Sequence, residues 1–80
     1  MNPRVQSAEH LSGTLLKLIF NNGECKFFDI GPYLNYPVYQ PLKDKNTIKQ
    51  VQVKHGIICW DNGIDFDPDR VYLESAQTVE

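Results

Sequence analysis

Residues 15–20 read LLKLIF, and the chain continues through Asn21-Asn22-Gly23 into residues 24–30, ECKFFDI. A short apolar run of this kind is typical of a β-strand, and Asn-Gly tolerates the positive φ angles of a type I′ turn. Residues 24–30 are then the returning strand. This stretch predicts an antiparallel hairpin, and the rest of the fold is arranged around it.

The segments on either side of the hairpin differ in character. Residues 4–11 are predicted to form a third strand, which Ser12-Gly13 turns into the hairpin. Residues 31–43 carry three prolines, which exclude a central strand because proline cannot donate to a strand ladder. We predict one helical turn beginning at Gly31-Pro32 and otherwise an ordered loop. The apolar side chains expected to hold this loop down are Tyr33, Leu34, Tyr36, Val38, Tyr39 and Leu42.

The second half of the chain predicts another hairpin between two short helices. Asp44 is a suitable N-cap for a helix at 45–50. Alternating residues 51–54 and apolar residues 57–60 predict two strands around the turn His55-Gly56. A turn at 61–63 follows, and Asp67-Pro68 predicts the start of a last helical turn, with a frayed tail over residues 75–80.

Together these elements predict an α+β fold: a small antiparallel sheet of about five strands from two hairpin units, covered on one side by one or two short helices and the Pro/Tyr-rich loop. The 80 residues make one domain, with an ordered core over residues 3–73. No stretch has the roughly 18 apolar residues of a membrane span, and the N-terminus has no signal-peptide core, which favours a cytoplasmic protein. Cys25 and Cys59 lie in apolar stretches, so we predict two buried free thiols rather than a disulfide.

The net charge of −2 and the scattered basic residues argue against nucleic-acid binding, which requires a basic face. The acidic residues are concentrated late in the chain. Asp65, Asp67 and Asp69 have the spacing that opens an EF-hand loop, but Arg70 stands where its glycine belongs and Ala76 where its glutamate belongs. Helix capping and turn formation explain these aspartates better than calcium does.

Other catalytic and cofactor chemistries find no support in the sequence. A pair of carboxylates needs a substrate cleft, for which 80 residues leave little volume. The two cysteines and two histidines lack the spacing of a zinc site and the flanking residues of a nucleophile site, and the five glycines are isolated. We therefore predict no catalytic residues, no metal site and no cofactor.

Aromatic residues are the remaining feature. Tyr33, Tyr36, Tyr39 and Trp60 could form a recognition surface, because tyrosine and tryptophan dominate binding hot spots. We favour a core role for them, since the domain is short of long aliphatic residues. If the protein has a contact surface, the segment 33–42 is the best candidate, with the acidic residues Asp61, Asp65 and Asp69 as its electrostatic complement to a basic partner.

The last third of the chain resembles a known family. Residues 58–72, ICWDNGIDFDPDRVY, resemble the W-x-N-G-x-D-x-x-P-x-x-L-Y ending of the bacterial domain-of-unknown-function family 2442. The resemblance extends over residues 1–73, with departures at Asp61, Ile64 and Val71. Its earlier pieces are the opening at residues 1–5, Asn22-Gly23-Glu24, Phe28-Asp29-Ile30, Pro32-Tyr33-Leu34 and Pro41-Leu42-Lys43-Asp44.

The resemblance implies a small α+β domain that occurs alone or ahead of a helix-turn-helix module, often encoded beside another small protein as in a toxin–antitoxin pair. It implies no catalytic residues, and the chain stops before a helix-turn-helix could begin. We expect a non-enzymatic module that binds a small partner protein, and the alternative is a ligand- or nucleic-acid-binding regulatory domain using the segment 33–42. A small enzyme ranks third, and a homodimer through an exposed strand edge stays open.

Overall fold

A computed structural model describes residues 2–77 of the chain. It has five strands, two 3₁₀ helices and two α-helices. The strands are β1 (Val5–Ser12), β2 (Leu15–Phe20), β3 (Cys25–Asp29), β4 (Gln52–Lys54) and β5 (Ile57–Cys59). The first and second 3₁₀ helices are Gly31–Asn35 and Pro37–Lys43, and the α-helices are α1 (Lys45–Ile48) and α2 (Pro68–Glu74). The predicted α+β class is confirmed.

The hairpin predicted from residues 15–30 is the centre of an antiparallel sheet with the strand order β1-β2-β3. Alternate residues of β2 are buried, and Leu16, Leu18 and Phe20 have no exposed surface. Phe28 on β3 lies opposite Leu16 and is buried on the same face. Because side chains alternate between the two faces of a strand, the apolar spacing of β2 fixes which face of the sheet forms the core.

The predicted five strands are divided between two sheets, because β4 and β5 form a two-stranded sheet of their own. The tip of this second hairpin contacts the first sheet, where the Val5 N–H donates to the Gly56 carbonyl at 3.2 Å. Gly56 has φ of 78° at this contact, and a Cβ there would lie 2.7 Å from Arg4 Cβ. Glycine is therefore needed both for the turn and for the close approach.

Residues 31–43 were predicted as one helical turn followed by an ordered loop, and they form two 3₁₀ helices. Pro32 and Pro37 stand in the first turns of these helices, where the missing N–H has no intrahelical partner to lose. Extended backbone at Tyr36 separates the two. Asp44 then caps α1, accepting from the Asn46 N–H at 2.8 Å and the Thr47 N–H at 3.1 Å, as its sequence position predicts.

α2 begins at Pro68 with Asp67 as its N-cap, which confirms the predicted start, and it ends at Glu74. After it, Ala76 exchanges two backbone hydrogen bonds with Phe27, at 2.7 and 2.8 Å. Ala76 therefore lies beside the outer edge of β3. Part of the segment predicted to fray is therefore tied to the sheet. The remainder of that prediction falls on residues 78–80, which lie outside the described residues.

A single core joins both sheets to α1 and α2. Its members are Val5, Leu16, Leu18, Phe20, Phe28, Ile30, Leu42, Ile48, Ile58, Trp60, Ile64, Phe66 and Val71. Both cysteines carry free thiols, but the prediction that they are buried was wrong for Cys25, which is exposed, and Cys59 is half-buried. Cys25 is three positions from the buried Phe28, and the period of two places it on the opposite face of β3. None of the helices within residues 2–77 is long and apolar enough to cross a membrane.

Candidate interaction surface

Tyrosines from both 3₁₀ helices and an arginine from α2 surround a shallow hollow of about 300 Å³. We call these five residues the tyrosine surface: Tyr33, Tyr36, Val38, Tyr39 and Arg70. Pro37 begins the second 3₁₀ helix and lies between Tyr36 and Val38. Two elements distant in sequence thus contribute to one surface.

Phe66 supports the tyrosine surface from the core side. It is 2% exposed, and the Tyr39 ring stacks on it with centroids 4.7 Å apart and an interplanar angle of 6°. Tyr33 meets the same ring edge-to-face at 5.2 Å, and Trp60 does so at 5.9 Å. Edge-to-face and offset-stacked contacts are the favourable arrangements for aromatic pairs. Tyr33 and Tyr39 are therefore held in place by the core.

The core role expected for the aromatics is confirmed for Trp60, which is 4% exposed and donates from Nε1 to the Ile48 carbonyl at 3.2 Å. Tyr33 and Tyr39 are half-buried and pack against the core. Tyr36 behaves differently, since 58% of its surface is exposed. The four tyrosine and tryptophan residues considered together in the sequence therefore divide into supporting and exposed groups.

Large apolar side chains remain exposed beside the hollow. Val38 is 61% exposed, and Leu73, which lies three residues after Arg70 on α2, is 70% exposed. Residues three apart on a helix are neighbours on its surface. Within residues 2–77 the other exposed large hydrophobic residues are Tyr36 and, on β1, Leu11. Tyr36 and Val38 are thus exposed at the hollow itself, and Leu73 is exposed on the helix that carries Arg70.

The polar groups around the tyrosine surface are paired. The Tyr33 hydroxyl donates to Glu74, and Arg70 forms an ion pair with Glu74 at 3.6 Å. Burial raises the pKa of Tyr33 to about 12, and the hydrogen bond to the Glu74 carboxylate acts in the same direction. Tyr33 therefore remains a protonated hydrogen-bond donor at neutral pH, and its contact with Glu74 links the first 3₁₀ helix to α2.

The late acidic residues are exposed but do not line the hollow. Asp61 accepts from Gln52 Nε2 at 2.6 Å, Asp65 forms an isolated backbone bridge with Cys59, and Asp69 accepts from Asn2 Nδ2 at 3.4 Å. Asp67 accepts from the Asp69 N–H at 3.2 Å as the cap of α2, the role expected for it. Across residues 2–77 no three His, Cys, Asp or Glu side chains come together as a metal site.

The sequence did not indicate Arg70 as part of a surface, since its only distinguishing feature there was its position in a broken EF-hand pattern. The contact depends on how α2 packs against the 3₁₀ helices, and no local signal predicts that packing. A second hollow, of about 570 Å³, also went unpredicted. It lies between β3 and the first 3₁₀ helix, and the side chains of Asp29, Tyr33 and Glu74 are among its walls.

Comparison with known proteins identifies the family. The family model described as "Protein of unknown function (DUF2442)" matches residues 5–77, which is most of the chain. No curated protein shows significant similarity to the chain, and neither does any solved structure. The chain belongs to the DUF2442 family, as its resemblance to that family implies.

Proposed function

We propose that this member of DUF2442 is a non-enzymatic interaction module that binds a small partner protein through the tyrosine surface. The observation that carries the proposal is the exposure of Tyr36 and Val38, 58% and 61%, beside a hollow whose other tyrosines are fixed by Phe66. Exposed apolar residues around a pre-formed hollow are typical of protein-binding sites. Because the supporting rings are already ordered, binding costs little side-chain entropy there.

The composition of the surface suits a protein partner. Tyrosine and arginine are enriched at protein interfaces, and both are present here around apolar Val38. Arg70 is already paired with Glu74, so a partner can dock apolar groups without leaving this charge uncompensated. The exposed aspartates 61, 65 and 69 add negative charge elsewhere on the molecule, which favours approach of a basic partner. The partner we propose is the protein encoded beside this one, with this chain as the neutralising half of the pair.

The proposal is tested by co-expressing the chain with its genomic neighbour and measuring the native mass of the purified material. We expect a hetero-complex for the natural chain. We expect Tyr36→Ser/Val38→Ser to weaken it by at least tenfold, since loss of a central apolar contact costs about 2 kcal/mol at an interface hot spot. Both residues are more than half exposed, so the variant should keep its fold.

Cys25→Ser is the control, because Cys25 is exposed on β3 and does not line the hollow of the tyrosine surface. It should leave the complex intact. A homodimer or a monomer in the presence of the neighbour would refute the pairing. A complex lost with Cys25→Ser and retained with the Tyr36/Val38 variant would place the contact on β3 instead.

The second hollow favours a second candidate function, the binding of a small ligand by a regulatory domain. Its walls combine the carboxylates of Asp29 and Glu74 with the rings of Phe27, Phe28 and Tyr33. Carboxylates beside aromatic faces suit a cationic organic molecule. A bound metabolite retained in the native mass spectrum of the lone protein, and lost in Asp29→Asn, would favour this function over the first.

A further inference from the structure

The outer edge of β1 has backbone groups that the sheet does not use. The Phe20 N–H donates to the Glu24 carbonyl at 2.9 Å, so the main-chain groups of Phe20 face β3. Successive residues of a strand direct these groups to opposite sides, so Ile19 and Lys17 face β1. Their partners in register are Ser7 and Glu9. The intervening β1 residues, Ala8 and His10, must direct their N–H and C=O groups away from β2.

No backbone partner meets Ala8 or His10 on that side among residues 2–77. Val5 points the same way and is paired with Gly56, but this contact lies beyond an irregularity in register between Val5 and Ser7. A second irregularity lies between His10 and Ser12. Bulges of this kind are a common way to interrupt an exposed edge. β4 and β5 approach β1, but within residues 2–77 the regular stretch between the two bulges has no backbone hydrogen bond on its outer side.

A hollow of about 420 Å³ lies along this edge, between β1 and the segment that joins α1 to β4. Glu9, His10 and Leu11 line it from one side, and Lys49 and Val51 line it from the other. A neighbouring hollow of about 380 Å³ continues it past Leu11. The additional residues lining this continuation are Ser12, Gly13, Lys45 and Ile48.

The charge of the groove is mainly positive. Lys45 and Lys49 are exposed, four residues apart, and neither forms an ion pair with another described residue. Glu9 is the one acidic side chain in the described lining of the two hollows. Leu11, at 41% exposure, adds an apolar side chain that a neighbouring segment would cover. An extended segment with alternating acidic and apolar side chains matches these features.

We infer that the β1 edge is a docking groove for an extended segment of a partner protein in which acidic and apolar residues alternate. The segment adds to Ala8 and His10 as a strand, through the same backbone hydrogen bonds that join strands of one sheet. The acidic side chains meet Lys45 and Lys49. This groove lies apart from the tyrosine surface, so it does not depend on the proposed function.

A single segment fits the groove better than a second copy of the chain. Paired strands lie about 4.8 Å apart, and Lys49 and Val51 line the hollow opposite β1. A second copy of the chain would have to bring its own flanking segment to the groove together with its β1 edge. A short segment brings no such flank, and its acidic side chains match the charges of Lys45 and Lys49.

The test uses a blocked hexapeptide of alternating valine and glutamate, titrated to millimolar concentration into the ¹⁵N-labelled full chain. We expect the amide signals of Ala8 and His10 to shift, with no shift at Tyr36 or Val38. The same peptide with lysine in place of glutamate should produce no shift. Equal responses to the two peptides, or no response to either, would overturn the inference.

Two double variants with the same change in net charge distinguish binding at the groove from a general electrostatic effect. Lys45→Glu/Lys49→Glu should weaken binding about fivefold, the effect expected of two exposed ion pairs. Lys43→Glu/Lys54→Glu makes the same change in net charge at exposed positions outside the lining, and it should weaken binding less. Equal loss in both variants would show that charge alone drives the contact, against the inference.

Ala8→Pro removes the outward N–H without removing a bond to β2, and proline is tolerated at such edge positions. It should abolish the shift at His10. If this variant fails to fold, the lysine variants still test whether the peptide binds at the β1 edge. Shifts at Ala8 and His10 that depend on protein concentration without peptide would show that a second copy occupies the edge, against the inference.

Discussion

In the three-stranded sheet, strands of five to eight residues are joined by antiparallel ladders, and alternate residues of the central strand are fully buried. After residue 30 no described strand exceeds three residues, and α1 has four. That second region has only the short β4–β5 ladder, and aromatic side chains packed on Phe66 and Trp60 contribute most of its contacts with the core. Regular backbone pairing stabilises the first region, and side-chain packing stabilises the second, which also contains the tyrosine surface.

Removal of the Phe66 ring should lower the free energy of unfolding more than any other substitution in the second region. Phe66→Ala deletes the ring that contacts Phe28, Tyr33, Tyr39 and Trp60, and a buried phenylalanine replaced by alanine costs about 4 kcal/mol. We expect a loss of that size in the free energy of unfolding measured by urea denaturation. Phe66→Leu keeps most of the volume and should cost about 1.5 kcal/mol. Similar costs for both variants would mean that ring stacking, not filled volume, dominates.

Glycine substitutions in the two hairpin turns test whether the backbones of the two regions depend on different contacts. Gly23, in the turn of the first sheet, has φ of 90° and open space around the position that a Cβ would occupy, whereas a Cβ on Gly56 would lie 2.7 Å from Arg4 Cβ. Gly23→Ala should cost about 1 kcal/mol, the penalty for an L-residue in this conformation. Gly56→Ala should cost about 3 kcal/mol, because a steric clash is added. Equal destabilisation in thermal unfolding would show that the second hairpin does not depend on its contact with Arg4.

These regions also differ in what the sequence could predict. The β2–β3 hairpin followed from its apolar period and Asn22-Gly23, and both helix starts followed from Asp44 and Asp67-Pro68, because strand period and capping are local properties. The helical turn beginning at Gly31-Pro32 was also predicted, but the second 3₁₀ helix and the contact of Arg70 with the tyrosines were not. They depend on where Phe66 lies in three dimensions, which no local pattern encodes.

The difference between local patterns and tertiary packing also explains the wrong prediction for Cys25 and the division of the strands into two sheets. Cys25 was expected to be buried because of its apolar neighbours, but the face it occupies depends on strand register. Five strands were expected in one sheet, but in the described residues β1 and β4 do not pair through their backbones. Strand number is visible in sequence, whereas pairing between strands distant in the chain is a tertiary property.

The cap of α1 should have a smaller effect than the Gly56 contact. Asp44→Ala removes the acceptor for the Asn46 and Thr47 N–H groups and should lower the free energy of unfolding by about 1 kcal/mol. Asp44→Asn retains an acceptor oxygen and should restore most of that loss. Urea denaturation of the two variants measures the difference. A loss equal to that of Gly56→Ala would mean that α1 contributes more to the second region than its four residues suggest.

The smallest effect concerns the link between Tyr33 and Glu74, which joins the first 3₁₀ helix to α2. The pKa of Tyr33 is raised from 10.0 to about 12, so the folded protein holds this proton more tightly than the unfolded chain does. The resulting stabilisation is complete below pH 10 and is lost as the pH rises through 12. Because Tyr33 is half-buried, solvent screening keeps the effect small.

Tyr33→Phe keeps the ring on Phe66 and removes the ionisable hydroxyl, so its stability should fall less than that of the natural chain over the same range of pH. Tyr36→Phe is the control, since it also removes one tyrosine hydroxyl but leaves the hydrogen bond between Tyr33 and Glu74 in place. The contribution of Tyr72 is the same in all three proteins, where the hydrogen bond to Glu24 raises the Tyr72 pKa. Parallel profiles for Tyr33→Phe and the natural chain would leave ring packing as the sole link between the first 3₁₀ helix and α2, and the tyrosine surface would then depend on Phe66 alone.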